Sequence, residues 1–178
     1  MQNSGKLFEQ QFKKSVPEYC LLQRLNDSAQ SFKKSGFARF TPNNPCDFFM
    51  FDSKSRTLYC IECKSTKYKS MGFEDINCEE EQNKMIHKHQ ILSLIKFSGY
   101  VGVVGCFLFN FRDENNNMER TYFQDIDNFN KMCGSINKSS FNEMDLILNG
   151  AIKIEGNRKR LYYIWDIDGL LNKLNGGK

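Results

Sequence analysis

Residues 47–64, with the sequence DFFMFDSKSRTLYCIECK, contain the pattern that decides the fold of this chain. Two apolar pieces, DFFMFD and LYCIECK, flank the polar segment SKSRT, and this arrangement is typical of two antiparallel strands joined by a hairpin. Glu62 and Lys64 are two residues apart in the second strand, so their side chains share one face at roughly 7 Å. The hairpin returns Asp47 to the same end of the sheet. The sequence therefore predicts that an aspartate, a glutamate and a lysine meet at one point.

Apolar spacing on both sides of this hairpin predicts alternating helices and strands. We expect an α/β fold in which helices flank a mixed central β-sheet, forming a single domain over residues 1–178. Predicted helices cover residues 5–14 and 85–97, begin near residue 141 from a capping box of Ser140 and Glu143, and begin again at Gly169. Predicted strands cover residues 19–25, 101–111, 120–126 and 161–166, with the first strand followed by a polar, basic loop over residues 26–44. The apolar run 101–111 predicts a central strand that is buried on both faces.

Composition excludes several classes of protein. The 178 residues are 40% hydrophobic and 26% charged, the balance of a globular domain. No apolar run approaches the roughly 20 residues of a membrane span, and the first residues do not resemble a secretory signal, so we expect a cytoplasmic protein without membrane contact.

The charge is unevenly distributed along the chain. Residues 1–70 carry 12 Lys and Arg against 6 Asp and Glu, whereas residues 71–178 carry 13 against 15. A basic N-terminal half suits an anionic partner such as nucleic acid, although biased composition explains the charge equally well.

Seven cysteines without a framework spacing indicate reduced thiols. Cys60 and Cys63 form a CxxC pair that could begin a zinc site, but no second pair follows at a suitable distance. The sequence therefore favours buried apolar thiols over metal ligands.

The Asp47, Glu62 and Lys64 constellation has a chemical interpretation. Two carboxylates at bonding distance repel each other unless a cation lies between them, and hard oxygen ligands select Mg²⁺ or Mn²⁺. Such an ion can activate water for attack on a phosphodiester, with Lys64 orienting the water or countering charge on the phosphate. The alternative is purely structural: Asp47 caps a strand, while Glu62 and Lys64 face solvent on an edge strand.

Six short motifs spread over most of the chain form a larger pattern. They are GKLFE (5–9), PCDFF (45–49), IECK (61–64), IHKHQ (86–90), TYFQDI (121–126) and KSSFNEMDL (138–146). Together they resemble the PD-(D/E)xK nuclease superfamily, with its restriction-endonuclease-like core, and within it the RecU family of Holliday-junction resolvases. The chain departs from that family at Pro45, where the family has threonine. It also has a shorter segment before Asp47.

The resemblance implies roles for five residues. Asp47 and Glu62 would be metal ligands, Lys64 the catalytic lysine and Gln90 a polar ligand at the metal, with Glu9 supporting the site from the first helix. It also implies a Mg²⁺-dependent endonuclease of DNA recombination or repair, similar to the compact phage-associated relatives. Such an enzyme acts as a homodimer on four-way DNA junctions. A nuclease for linear or flapped DNA and a non-catalytic binding module on the same fold remain alternatives.

Other basic side chains and two histidines are weaker candidates for functional roles. Phosphate contacts are expected from some of six residues, for each of which a solvated surface position is the alternative. These candidates are Arg24, Lys33, Lys34, Arg39, Lys67 and Lys69. His87 and His89, two apart on a predicted helix, are expected to point to different sides and to serve in packing or hydrogen bonding.

Overall fold

A computed structural model of the protein describes residues 4–25, 44–78 and 82–176. Five helices lie in these ranges: α1 (Ser4–Ser15), α2 (Lys88–Ser98), α3 (Ile126–Ser135), α4 (Glu143–Leu148) and α5 (Ile167–Asn175). Strands β1 to β5 are Cys20–Arg24, Phe48–Asp52, Thr57–Thr66, Ser70–Gly72 and Val103–Asp113. Strands β6 to β10 are Met118–Asp125, Ser140–Asn142, Ile152–Ile154, Gly156–Arg158 and Tyr163–Trp165. None of the helices described is long and apolar enough to cross a membrane.

Six strands form one sheet in the order β1-β2-β3-β5-β6-β8. The β3–β5 pair is parallel and the other pairs are antiparallel, so the sheet is mixed. A parallel pair needs a long crossover, and helix α2 lies within the connection between β3 and β5. The prediction of a mixed central sheet flanked by helices is confirmed, as is the hairpin that joins β2 to β3.

Two apolar clusters cover the two faces of the sheet. On one face α2, α3 and α4 pack through side chains such as Leu94, Phe129 and Leu146 onto Phe107 and Phe109 of β5. On the other face α1 and α5 pack onto β2, β3 and β5, with Cys106 and Leu108 contributed by β5. Strand β5 is therefore buried on both faces, as its apolar run predicted.

The start of α4 differs from the prediction. Ser140 belongs to β7, which pairs with β4, so it cannot cap the helix. Asn142 is the cap instead: its side-chain oxygen accepts a hydrogen bond from Asp145 N at 3.0 Å, and Asp145 Oδ2 accepts one from Asn142 N at 2.8 Å. A capping box is present, but it lies two residues later than predicted, because Ser140 belongs to β7 and pairs with β4.

Two other helices also begin at different residues from those expected. Helix α2 begins at Lys88, because residues 82–87 approach it in non-helical backbone. Helix α5 begins at Ile167, two residues before Gly169, because the side chain of Asp166 accepts a hydrogen bond from Gly169 N at 2.9 Å. Most of the predicted loop over residues 26–44 lies outside the described residues.

Candidate active site

The β2–β3 hairpin brings Asp47 and Glu62 together. Asp47 immediately precedes β2, and the antiparallel register that pairs Phe48 with Ile61 places Asp47 next to Glu62. Asp47 N donates to Ile61 O at 3.0 Å, and Cys63 N donates to Asp47 Oδ2 at 2.8 Å. The aspartate is thus held by the backbone on either side of Glu62.

Lys64 lies on the same face of β3 as Glu62, and the two side chains form an ion pair. Lys64 Nζ is 3.0 Å from Glu62 Oε1, and the side chains are only 14% and 7% exposed. Strand β3 lies between β2 and β5 in the interior of the sheet. The alternative in which these two residues face solvent on an edge strand is therefore wrong.

Gln90, in the first turn of α2, contacts the pair from the neighbouring helix. Its Nε2 donates to Glu62 Oε1 at 2.5 Å, while its Oε1 accepts from His87 N at 3.0 Å. A metal would bind the amide oxygen, but this oxygen is directed at the helix backbone and the amide nitrogen faces Glu62. In this structure Gln90 therefore contacts Glu62 as a hydrogen-bond donor, and the predicted metal-ligand role would need its amide oxygen to face the cluster.

Glu9 of α1 reaches the same region but is paired with Arg24. Arg24 Nε lies 2.8 Å from Glu9 Oε2, and Arg24 also donates to Leu25 O at 3.4 Å. The guanidinium predicted to contact DNA is therefore directed at an acidic side chain of its own chain. Through this pair, β1 and α1 are joined beside Asp47.

The electrostatics of the cluster centre on Asp47. Burial, together with the negative charges of Glu62 and Glu9, raises the pKa of Asp47 to about 7, against the opposing effects of the Cys63 N–H and the Lys64 ammonium. The negative charges of Asp47, Glu62 and Glu9 thus act on one another in a poorly solvated region, although Lys64 and Arg24 offset part of the repulsion. A cation would relieve this repulsion.

The donor set fits magnesium or manganese. Within residues 4–25, 44–78 and 82–176, no three His, Cys, Asp or Glu side chains are grouped closely enough to enclose a metal ion. Mg²⁺ does not need such a cage, because it is usually held by one or two carboxylates plus water and substrate phosphate. Asp47 and Glu62 provide two carboxylates of this kind.

The two histidines differ from their predicted arrangement. The rings of His87 and His89 stack, with centroids 5.5 Å apart and planes 10° apart, instead of pointing to different sides. His87 is the N-cap of α2 and has extended backbone, so helical spacing does not apply to the pair. Glu74 binds both His87 Nδ1, at 3.0 Å, and Lys88 N, at 2.6 Å. No local sequence motif points to Glu74, because it lies 14 residues before the first residue of α2.

The other basic candidates fall outside this cluster. Lys67 and Lys69 lie in the turn between β3 and β4 and line a cleft of about 820 Å³, whose lining includes neither Asp47 nor Glu62. Lys33, Lys34 and Arg39 lie outside the described residues.

Cys60 and Cys63 do not form a metal site. Cys60 is buried in the cluster on the α2 face of the sheet, whereas Cys63 packs against the cluster on the α1 face. Residues three apart in a strand point to opposite sides, which separates the two thiols. Burial raises the pKa of the Cys63 thiol well above its ordinary value. The prediction of a buried thiol holds for Cys60, whereas Cys63 is only partly buried and lies near Asp47, Glu62 and Glu9.

Comparisons with known proteins identify related sequences without assigning a family. No protein-family model matches the chain. The SPbeta prophage-derived uncharacterized protein YotM of Bacillus subtilis (strain 168) is 34% identical over 128 residues, which are 71% of this chain and 58% of that protein. The chain thus spans less than two thirds of this relative. Among solved structures, Hjc, a Holliday junction resolvase of Archaeoglobus fulgidus, matches with a TM-score of 0.41 and 15% identity, over 73% of this chain and 80% of that one. The functional assignment therefore rests on the geometry of Asp47, Glu62 and Lys64.

Proposed function

We propose that this protein is a metal-dependent DNA endonuclease of the PD-(D/E)xK type, with a restriction-endonuclease-like core and Mg²⁺ or Mn²⁺ as its cofactor. One observation carries the proposal: Asp47, Glu62 and Lys64 lie together in a poorly solvated cluster in which the carboxylates repel each other. A fold that needed these residues only for stability would gain nothing from placing like charges side by side.

Asp47 and Glu62 would hold the metal. When bound, the ion supplies Lewis-acid stabilisation of the charge on the phosphodiester. Gln90 donates to Oε1 of Glu62 and the Lys64 ammonium forms an ion pair with the same oxygen, whereas Oε2 accepts no hydrogen bond from the described residues. The two donors thus fix the carboxylate and leave its second oxygen available to a ligand.

Lys64 would act on the substrate directly. Its ammonium group is held 3.0 Å from Glu62 in a site with little solvent, where a fixed positive charge is worth more than it is in water. From this position it can counter the charge on a phosphate oxygen or orient the attacking water. Glu9 and its partner Arg24 support the cluster from α1 and β1.

We further propose that the substrate is branched DNA, above all a four-way junction, and that the protein acts as a homodimer in recombination or repair. The motifs shared with RecU resolvases support this finer proposal. A two-fold symmetric dimer suits a junction in which two opposed strands are nicked. Lys67 and Lys69, together with Lys33, Lys34 and Arg39, are the proposed phosphate contacts.

The test incubates the purified protein with labelled four-way, flapped and linear DNA, in Mg²⁺ and in chelator. Wild type and Glu62→Gln are compared, and Glu18→Gln, at an exposed position on another part of the surface, is the matched control. We expect paired, symmetric cuts in the junction with Mg²⁺ for wild type and for Glu18→Gln. Glu62→Gln should abolish cutting and keep or tighten DNA binding, because removing a negative charge near phosphate relieves repulsion.

Other results would point elsewhere. Equal cutting of all three substrates would indicate a nuclease for linear or flapped DNA, and binding without cutting would indicate a non-catalytic module. Loss of folding in Glu62→Gln, seen as a collapse of its melting temperature, would mean that Glu62 is structural.

A further inference from the structure

Tyr68 is a large aromatic side chain held out in solvent by an ordered turn. It is 67% exposed, in the turn between β3 and β4. The turn is fixed from within, because Tyr68 N donates to the side-chain oxygen of buried Thr66 at 3.1 Å. Strand β4, which follows at once, is paired with β7. An aromatic ring kept exposed by fixed backbone is typical of a contact surface.

A cleft of about 820 Å³ lies beside Tyr68. Its apolar lining includes Phe111 of β5 and the side chains of Met144 and Ile147, which α4 leaves exposed to solvent. The cleft therefore has apolar walls next to a flat ring. Such a surface suits a flat, partly apolar group.

The charges of the cleft favour an anionic ligand. Two of its three carboxylates are paired with arginines, Glu114 with Arg112 at 3.0 Å and Glu143 with Arg120 at 2.7 Å, while Asp113 keeps its charge and accepts a hydrogen bond from the side chain of Asn116 at 2.8 Å. Lys67 and Lys69, on either side of Tyr68, make no ion pair with any described residue. Lys67 Nζ lies 5.9 Å from the centre of the Tyr68 ring. Two uncompensated cations thus flank the aromatic ring.

The turn is close to the proposed catalytic cluster. Tyr68 follows Lys64 by four residues, so the two Cα atoms are at most about 14 Å apart. That span corresponds to about four nucleotide steps along a strand of DNA.

We propose that Tyr68, with Lys67, Lys69 and the adjoining cleft, binds an unpaired nucleotide of the DNA substrate. The base stacks on Tyr68, and the two lysines contact the flanking phosphates. Stacking on an aromatic side chain combined with backbone cations is the general chemistry of single-strand recognition. Bases inside a duplex are already stacked and present no face to Tyr68, so the site selects DNA with an opened branch point. This inference rests on the proposed nuclease function, because it assumes DNA at Lys64.

The test measures binding in chelator, so that cleavage does not intervene. The probes are a flapped DNA with 2-aminopurine at an unpaired position near the branch and a linear duplex of equal length. The variants are Tyr68→Ala and Tyr68→Phe. Tyr100→Ala is the matched control, because Tyr100 is 60% exposed but precedes β5, at the opposite end of that strand from the cleft.

We expect Tyr68→Ala to weaken binding of the flapped probe by about 5- to 150-fold, the range for losing one stacked base. Binding of the duplex should change less than about two-fold. Wild type, Tyr68→Phe and Tyr100→Ala should quench the 2-aminopurine fluorescence, and Tyr68→Ala should not. Melting temperatures of all variants check that the fold is kept.

Equal loss of binding to both probes in Tyr68→Ala would overturn the inference, as would quenching that persists without the tyrosine ring. Failure of the nuclease proposal gives a different result: wild type cuts no DNA in Mg²⁺, yet Tyr68-dependent quenching persists. That outcome would support the nucleotide site while rejecting catalysis.

Discussion

Two aspartates lie at the two ends of the second strand and have opposite electrostatics. Asp47 immediately precedes β2 and Asp52 ends it, five residues later. Burial and the nearby charges of Glu62 and Glu9 together raise the pKa of Asp47 to about 7. Burial also acts to raise the pKa of Asp52, but its hydrogen bonds outweigh that effect and lower it below the ordinary value.

The difference lies in the number of donors around each carboxylate. Asp52 accepts hydrogen bonds from Lys54 N at 3.0 Å, Ser55 Oγ at 2.6 Å and Asn175 Nδ2 at 3.1 Å. Asp47 has one backbone donor, Cys63 N, and faces two acidic side chains. A carboxylate satisfied by its own chain stabilises a turn, whereas one left among like charges has capacity for an external cation. Asp52 is thus satisfied by hydrogen bonds within its own chain, whereas Asp47 is the aspartate proposed to bind a metal.

The largest expected effect is on cleavage. Asp47→Asn should lower the single-turnover rate of DNA cleavage by about 10³-fold or more, because it removes a charged oxygen from the metal site. Asp52→Asn, the matched control at the other end of β2, should cleave within a few-fold of wild type. Equal losses in the two variants would show that the comparison does not separate function from structure.

A smaller effect is expected on the pH dependence of stability. Since Asp47 has a folded pKa near 7 against an ordinary value of 3.8, the folded state holds its proton more tightly between these values. The free energy of unfolding of the metal-free protein should therefore fall as pH rises from about 4 to above 7, by at most about 4 kcal/mol.

Asp47→Asn should remove this contribution. The measurement is denaturant unfolding of both proteins in chelator from pH 4.5 to 8.5. The variant should gain stability relative to wild type as pH rises. Parallel curves would contradict the raised pKa.

The smallest effect is expected at Asp52. Asp52→Asn should lower the free energy of unfolding by about 1–3 kcal/mol at neutral pH. The substitution weakens charge-assisted hydrogen bonds, and the new amide NH₂ group would face N–H or O–H groups that now donate to the carboxylate. The sign of the pH dependence is opposite to that at Asp47. The loss should be fully present above the ordinary pKa of 3.8 and should shrink as pH falls through the lower folded pKa. Unfolding midpoints at pH 7 and pH 3 would show whether this holds.

Local patterns predicted much of the fold. The β2–β3 hairpin, the doubly buried β5 and the mixed sheet follow from apolar runs and turn residues that lie close together in the chain. The start of α4 was wrong because β4 pairs with residues 140–142 from far away in the sequence. The prediction that His87 and His89 point to different sides was wrong, because the N-cap residue His87 does not have the helical geometry of the residues that follow it.

In the proposed site too, some features follow from local sequence patterns and others from contacts between distant residues. Local patterns alone place Asp47, Glu62 and Lys64 on one hairpin, because strand alternation and a short turn leave little freedom. Contacts between distant parts of the chain set the direction of the Gln90 amide nitrogen toward Glu62, the Arg24–Glu9 pair and the exposure of Tyr68 beside a cleft. Such a contact, from Asn175, also completes the set of three hydrogen-bond donors at Asp52, whereas Asp47 has one. Charge, burial and hydrogen-bond supply depend on side chains from other helices and strands, and no local pattern encodes those contacts.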